Sequence, residues 1–180
     1  MTNLKIADIS FLIIDFDGVM TDDSVYVNEL GVEMVKCSRF DGAGISLVNK
    51  ANLLGYTAIE MLILSSEENE VALLRSKKLG IKCEIKVANK FKYLCNQAAE
   101  LGMSPNEFFS KAIYLGNDLN DLHSMKASKF SFAPDNAHKI IKEVANFVLP
   151  EKGGQGFVRA AVEQILGTSL IESLVNELYA

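Results

Sequence analysis

Apolar runs alternate with amphipathic stretches along this chain, and several of the runs stop abruptly at glycine, hydroxyl, amine or carboxylate residues. Phe11-Leu12-Ile13-Ile14 ends in Asp15-Phe16-Asp17-Gly18, and Met61-Leu62-Ile63-Leu64 ends in Ser65-Ser66. Cys83 to Val87 gives way to Asn89-Lys90, and Ala112 to Leu115 to Gly116-Asn117-Asp118. Short continuous apolar runs suit strands buried on both faces. Between them, Ile45–Leu54, Glu68–Leu79 and Phe91–Leu101 have helical spacing and stop at Gly55, Gly80 and Gly102, as helices commonly do. The alternation continues through Leu122–Ala127, Phe130–Ala133, Ala137–Val144 and Phe147–Leu149, and closes with helices over Val158–Leu166 and Leu170–Tyr179. This order predicts an α/β fold, a Rossmann-like parallel sheet with helices on both faces. One segment departs from it. In Ser24–Lys36, valines flank a turn-like Asn28-Glu29-Leu30-Gly31, which predicts a β-hairpin insertion.

In parallel sheets ligands bind at the carboxyl ends of the strands, so the polar segments after the strands are expected to share one edge. Asp15 and Asp17 stand two residues apart there. Carboxylates so close repel each other unless a cation lies between them, and oxygen donors suit magnesium. Ser65 offers a hydroxyl, Lys90 an ammonium, and Gly116-Asn117-Asp118-Leu119-Asn120-Asp121 a cluster of amides and acids. Together they describe phosphoryl transfer: a carboxylate attacks phosphorus, a second acid protonates the leaving oxygen, and a hydroxyl and an ammonium hold the phosphoryl oxygens.

Composition narrows the partners. At 180 residues, 49% hydrophobic and 23% charged, the chain fits one globular domain over 1–180. A net charge of −5 disfavours a nucleic acid and leaves room for a small anion in one locally positive pocket. No apolar stretch approaches the roughly 20 residues of a membrane span. Cys37, Cys83 and Cys95 match no zinc or redox spacing and are expected as free thiols of a reducing compartment, which points to the cytoplasm.

The order of Asp15-Phe16-Asp17-Gly18-Val19, Ser65, Lys90 and Gly116–Asp121 resembles the haloacid dehalogenase superfamily. The resemblance extends to its capless branch of 3-deoxy-manno-octulosonate 8-phosphate phosphatases and sialic-acid-type nonulosonate 9-phosphate phosphatases. Phe40-Asp41-Gly42-Ala43-Gly44-Ile45 is similar to that branch's Arg-Asp-Gly-x-Gly-Ile segment, Ala137-His138 to its Asp-Ala-His segment, and Gly153-Gly154-Gln155-Gly156-Phe157-Val158-Arg159 to its glycine-rich tail. The resemblance implies Asp15 as nucleophile and Asp17 as general acid and then base. Ser65 and Lys90 would hold the phosphoryl group, with Asp17, Asp41, Gly42, Glu67, Arg75 and Lys90 on the substrate. Magnesium would rest on Asp15, the main-chain carbonyl of Asp17, and Asn117 or Asp118, with Asp121 orienting its water shell. It also implies a homotetramer assembled through the 24–36 hairpin, in which a neighbouring subunit closes the site that no cap domain covers; residues 151–180 form the tail and last helices.

The chain departs from the branch pattern in three places. Asn117 stands where the superfamily usually has Asp, Phe40 where the branch has Arg, and Ser66-Glu67 where octulosonate phosphatases have Gly-Arg. Ser-x-Glu and Gly-Asn-Asp tilt the expected substrate toward a nonulosonate (N-acylneuraminate or KDN-type) 9-phosphate of sialic acid biosynthesis. The alternative is the octulosonate 8-phosphate of lipopolysaccharide biosynthesis. A non-catalytic tetramerisation module is disfavoured because Asp15, Asp17, Ser65 and Lys90 are all present. A phospho-receiver domain leaves Asp15-x-Asp17-Gly18 and the glycine-rich tail unexplained.

Overall fold

A computed structural model describes residues 6–68 and 70–179. Its main sheet contains β1 (Phe11–Asp15), β4 (Glu60–Leu64), β5 (Lys82–Glu84), β6 (Ala112–Leu115), β7 (Phe130–Pro134) and β8 (Phe147–Leu149) in the order β5-β4-β1-β6-β7-β8. Every pairing is parallel. β2 (Thr21–Val27) and β3 (Glu33–Cys37) form a separate antiparallel ribbon. The helices are α1 (Arg39–Leu53), α2 (Val71–Leu79), α3 (Lys90–Glu100), α4 (Pro105–Phe109), α5 (Leu122–Ala127), α6 (Lys139–Val144), α7 (Phe157–Leu166) and α8 (Thr168–Tyr179).

β1 is central and buried throughout, and alternate side chains feed two cores. Leu12 and Ile14 join Ile45 and Val48 of α1, Ala72 of α2, Ala161 and Val162 of α7 and Leu174 of α8. Phe11 and Ile13 join Leu94 of α3, Phe108 and Phe109 of α4, Met125 of α5 and Ile141 of α6. The alternation follows from the two-residue period of a strand. Each fully buried leucine or isoleucine stabilises the fold by about 1.5–3 kcal/mol. After β5 the chain crosses to the other side of β1 to make β6. The ends of β1, β4 and β6 are therefore adjacent at the topological switch point, where a ligand crevice opens.

Three local features differ from the sequence expectation. α1 begins at Arg39, six residues before the expected start, with Ser38 Oγ accepting the Phe40 N–H at 3.0 Å. Gly42 and Gly44 lie inside this helix although glycine costs about 1 kcal/mol there. Packing explains both, because a Cβ on Gly44 would lie 2.7 Å from Arg159 Cα, and one on Gly42 would lie 2.7 Å from an Arg75 guanidinium nitrogen. The helix α4 was not expected at all. It is one short turn nucleated by Ser104, whose hydroxyl accepts from Glu107 N–H, with Pro105 in its first turn. The helix expected over Glu68–Leu79 starts later, as α2 begins at Val71.

Asp41 fastens the first helix to the tail. Its buried carboxylate accepts from the backbone N–H groups of Val158 (2.9 Å), Gly156 (3.3 Å) and Arg159 (3.4 Å), so a residue of α1 caps the start of α7. Burial pushes this carboxyl from 3.8 up to about 6, against those three donors and Arg75. The folded chain therefore takes up a proton that the unfolded chain does not hold between about pH 4 and 6. The stability this group contributes is full below that window and lost as pH rises through it. Urea unfolding of wild type and Asp41→Asn across pH 4–7 tests this: the stability advantage of the wild type should shrink by up to about 3 kcal/mol toward neutral pH. A pH-independent difference would contradict the assignment.

Candidate active site

The first strand delivers Asp15 at its end, 4% exposed. Asp15 Oδ1 accepts the Phe16 N–H at 2.7 Å and the Lys90 ammonium at 2.6 Å. Lys90, the first residue of α3, is 1% exposed and also reaches Asp121 Oδ1 at 2.8 Å. Asp121, fully buried, further accepts from the Tyr114 hydroxyl (2.7 Å) and from the N–H groups of Asn117 (3.0 Å) and Asp118 (3.3 Å). It thus holds the lysine and shapes the loop after β6 at the same time. Tyr114 escapes sequence reasoning because it sits in an apolar strand. Burial, then Asp121 and Asp15, raise its phenol well above the usual range and keep it a donor.

Asp17 stands at the cleft rim, with Ser65 Oγ 3.2 Å from its Oδ2. The Ser65 hydroxyl also accepts the Glu67 N–H at 3.1 Å. A polar cleft of about 120 Å³ is lined by Asp15, Asp17, Asp23, Ser66, Glu67, Asn117, Asp118 and Asn120. Asp23 was not anticipated. It lies at φ 64° where the register of the β2–β3 ribbon shifts, and this bulge turns it toward the cleft.

The tail meets the same loop from behind. A Cβ on Gly153 would lie 1.8 Å from the carbonyl oxygen of Gly18, and Gly154, at φ 64°, donates to Val19 O at 3.0 Å. The glycine-rich segment thus braces the turn after β1 by backbone contact that no side chain leaves room for. His138 caps α6 with Nδ1 and donates its N–H to Asn117 O at 2.8 Å, steadying that loop.

Among the residues expected from the sequence, Asp15, Asp17, Glu67, Asn117 and Asp118 meet in one cleft, with Ser65 and Lys90 bonded to its acids. Asp41, Gly42 and Arg75 stand apart from that lining. Asp41 fastens the tail, Gly42 sits against Arg75, and Arg75 donates to Ser38 O at 3.2 Å. In the single chain their contacts are structural.

The charges fit a divalent cation. Five carboxylates line the cleft, whereas the buried ammonium behind it is shared by two acids. Burial, then the Asp121 charge, push the Asp15 carboxyl well above the usual range despite Lys90. For Lys90, burial alone would lower the ammonium, but Asp15 and Asp121 outweigh it and keep the group charged. Asn117 Oδ1 is a buried oxygen without a hydrogen-bond partner. Among the described residues no three His, Cys, Asp or Glu side chains converge as a metal cluster. A set built from one carboxylate, one main-chain carbonyl and one amide oxygen would not form such a cluster.

A six-stranded parallel sheet with a carboxylate pair, a serine, a buried lysine and an acidic loop at its switch point defines a hydrolase class. The family model described as haloacid dehalogenase-like hydrolase matches residues 55–160, and the chain belongs to that family. It is similar to the 3-deoxy-D-manno-octulosonate 8-phosphate phosphatase KdsC of Haemophilus influenzae, 28% identical over 163 residues, 90% of this chain and 85% of the relative. A solved structure of a HAD-family protein from Streptomyces avermitilis is 35% identical, with a TM-score of 0.79 over 91% of this chain and 88% of that one. The cobalt-bound deoxy-D-mannose-octulosonate 8-phosphate phosphatase of Haemophilus influenzae is 27% identical, with a TM-score of 0.76 over 89% of each chain. The chain is a phosphoric monoester hydrolase.

Proposed function

We propose that the protein hydrolyses 3-deoxy-D-manno-octulosonate 8-phosphate through an aspartyl-phosphate on Asp15. The observation that carries the chemistry is the Lys90 ammonium fixed 2.6 Å from Asp15 at the end of the central strand; the octulosonate relatives support the substrate. Both Asp15 bonds fall on Oδ1, so Oδ2 is the oxygen that attacks phosphorus. The phosphorus–ester oxygen bond breaks as the Asp15–phosphorus bond forms. Asp17 gives its proton to the departing sugar alkoxide. Burial, then Glu67 and Asp23, raise the Asp17 carboxyl above its ordinary value against the Ser65 hydrogen bond, which favours the protonated form that a general acid needs. Asp17 then takes a proton from water, the water oxygen attacks phosphorus, and inorganic phosphate and the Asp15 carboxylate are released. Ser65 and Lys90 hold the phosphoryl oxygens.

Asp15, the carbonyl of Asp17 and Asn117 would hold a magnesium ion, with Asp118 beside them. Such an ion neutralises charge between nucleophile and phosphate. Oxygen donors favour magnesium, and the cobalt-bound relative supports a divalent site. The test is phosphate release from the octulosonate 8-phosphate and a nonulosonate 9-phosphate with magnesium and with chelator. Turnover should vanish with chelator, and kcat/KM should favour the eight-carbon acid. A preference for the nine-carbon acid would restore the reading from Glu67, which lines the cleft as an acid.

The ribbon supports assembly. Val25, Tyr26, Val27, Leu30, Val32 and Met34 are each more than half exposed on it, an apolar surface unusual for a solvated hairpin. The reading is a homotetramer joined through this ribbon, a neighbouring copy closing the cleft. Sedimentation should give four chains for the wild type and a smaller species for Val27→Asp; a monomeric wild type would contradict it. No helix among the described residues is long and apolar enough to cross a membrane, and the three cysteines are free thiols. A cytoplasmic site of action accords with the thiols.

A further inference from the structure

The cleft wall carries Asp15, Asp17, Asp23, Glu67 and Asp118 and no basic side chain. Lys90 lies behind it with no exposed side-chain surface, bonded to Asp15 and Asp121. A phosphorylated keto-sugar acid brings a second anionic group, its carboxylate, which that wall repels. Three other cations have partners in the chain, although the Arg75 Nε has none. Lys36 pairs with Asp22 at 2.8 Å, Arg75 donates to Ser38 O, and Arg159 pairs with Glu163 at 2.8 Å.

Lys86 is placed differently. It lies between β5 and α3, on a loop stitched to the segment that carries Ser65 and Glu67. Its N–H donates to Glu67 O at 3.0 Å, Val87 N–H donates to Ser65 O at 3.1 Å, and the Ser66 hydroxyl donates to Val87 O at 3.0 Å. Among the described residues Lys86 (φ 61°) and Asp23 are the non-glycine residues at positive φ, and Asp23 lines the cleft. A lysine in this conformation is disfavoured, and such backbone positions gather at functional sites. Its side chain is 60% exposed and pairs only loosely with Glu68, at 3.6 Å. An exposed pair of that kind is worth little and exchanges readily.

We propose that Lys86 is a specificity-determining residue whose ammonium leaves Glu68 and binds the carboxylate of the sugar-acid substrate, holding that end of the molecule off the acidic wall while the phosphoryl group meets Asp15. The inference rests on the sugar-acid phosphatase reading and deepens it.

The test compares 3-deoxy-D-manno-octulosonate 8-phosphate with p-nitrophenyl phosphate, which has no carboxylate, in wild type, Lys86→Gly and Lys86→Arg. Glycine suits a φ of 61°, so Lys86→Gly removes the side chain without straining the loop. With the sugar acid, Lys86→Gly should lose about 10- to 50-fold in kcat/KM, mostly through KM, as for one charge-assisted bond. With p-nitrophenyl phosphate the loss should stay within about twofold, and Lys86→Arg should recover the sugar-acid value to within about threefold. Equal losses on both esters, or no loss on the sugar acid, would overturn the role of Lys86 alone. A wild type that hydrolyses neither ester would overturn the phosphatase reading itself, and Lys86 with it.

Discussion

Asp15→Asn should abolish turnover, with kcat falling at least about 10⁴-fold, because an amide oxygen cannot serve as the attacking nucleophile. The fold should survive the change. Asp15 and Asp121 share one buried ammonium at 2.6 and 2.8 Å, so removing one of the two charges leaves a one-to-one pair. Stability should therefore stay level or rise by about 1–2 kcal/mol. Phosphate release and urea unfolding measured on the same preparation separate the two effects. An inactive variant that is also unfolded would say nothing for the nucleophile, and an active one would contradict it.

Lys90→Met should act in the opposite sense on stability. Methionine fills the volume of the lysine stem but leaves Asp15 and Asp121 buried and facing each other. Breaking a buried pair in this way costs about 3–5 kcal/mol. Without the ammonium that lowers it, the Asp15 carboxyl of such a variant is raised further above its unfolded value. The variant's stability deficit should therefore be smallest at acid pH, near the ordinary carboxyl value of 3.8, and grow as pH rises from there. Denaturant titrations at several pH values check this, and a deficit below about 1 kcal/mol would show that the lysine is not what permits two buried acids there.

The architecture was legible because β1, β4, β6 and β7 are short apolar runs, and because glycines mark several helix ends. The carboxyl-edge rule then places Asp15, Ser65, Lys90 and Asn117 at one edge of the sheet. What stayed hidden depends on contacts between distant segments. Gly42 and Gly44 stand ahead of the helix that the spacing predicts from Ile45, and only the approach of α7 to Gly44 and of α2 to Gly42 explains glycines inside a helix. Asp41 offers a carboxylate at a family motif, yet its partners are backbone N–H groups more than a hundred residues away. Tyr114 looks like core until Asp121 is placed beside it. Asp23 and Lys86 carry no signal at all in the sequence, since a positive φ at an acid or a lysine is set by the bulge or loop around it. The substrate is less legible than the chemistry. Glu67 lines the cleft, while the chain is similar along 90% of its length to an octulosonate phosphatase, and the proposed substrate follows the second of these.

The central claim is that Asp15 carries the phosphoryl group. Its most direct test is borohydride quenching of the enzyme during turnover with magnesium and 3-deoxy-D-manno-octulosonate 8-phosphate, followed by peptide mass spectrometry. Reduction of an aspartyl-phosphate should leave homoserine at position 15 and an unmodified Asp17. Homoserine at position 17 or at another acid, or an unmodified chain from an enzyme that is turning over, would contradict the account.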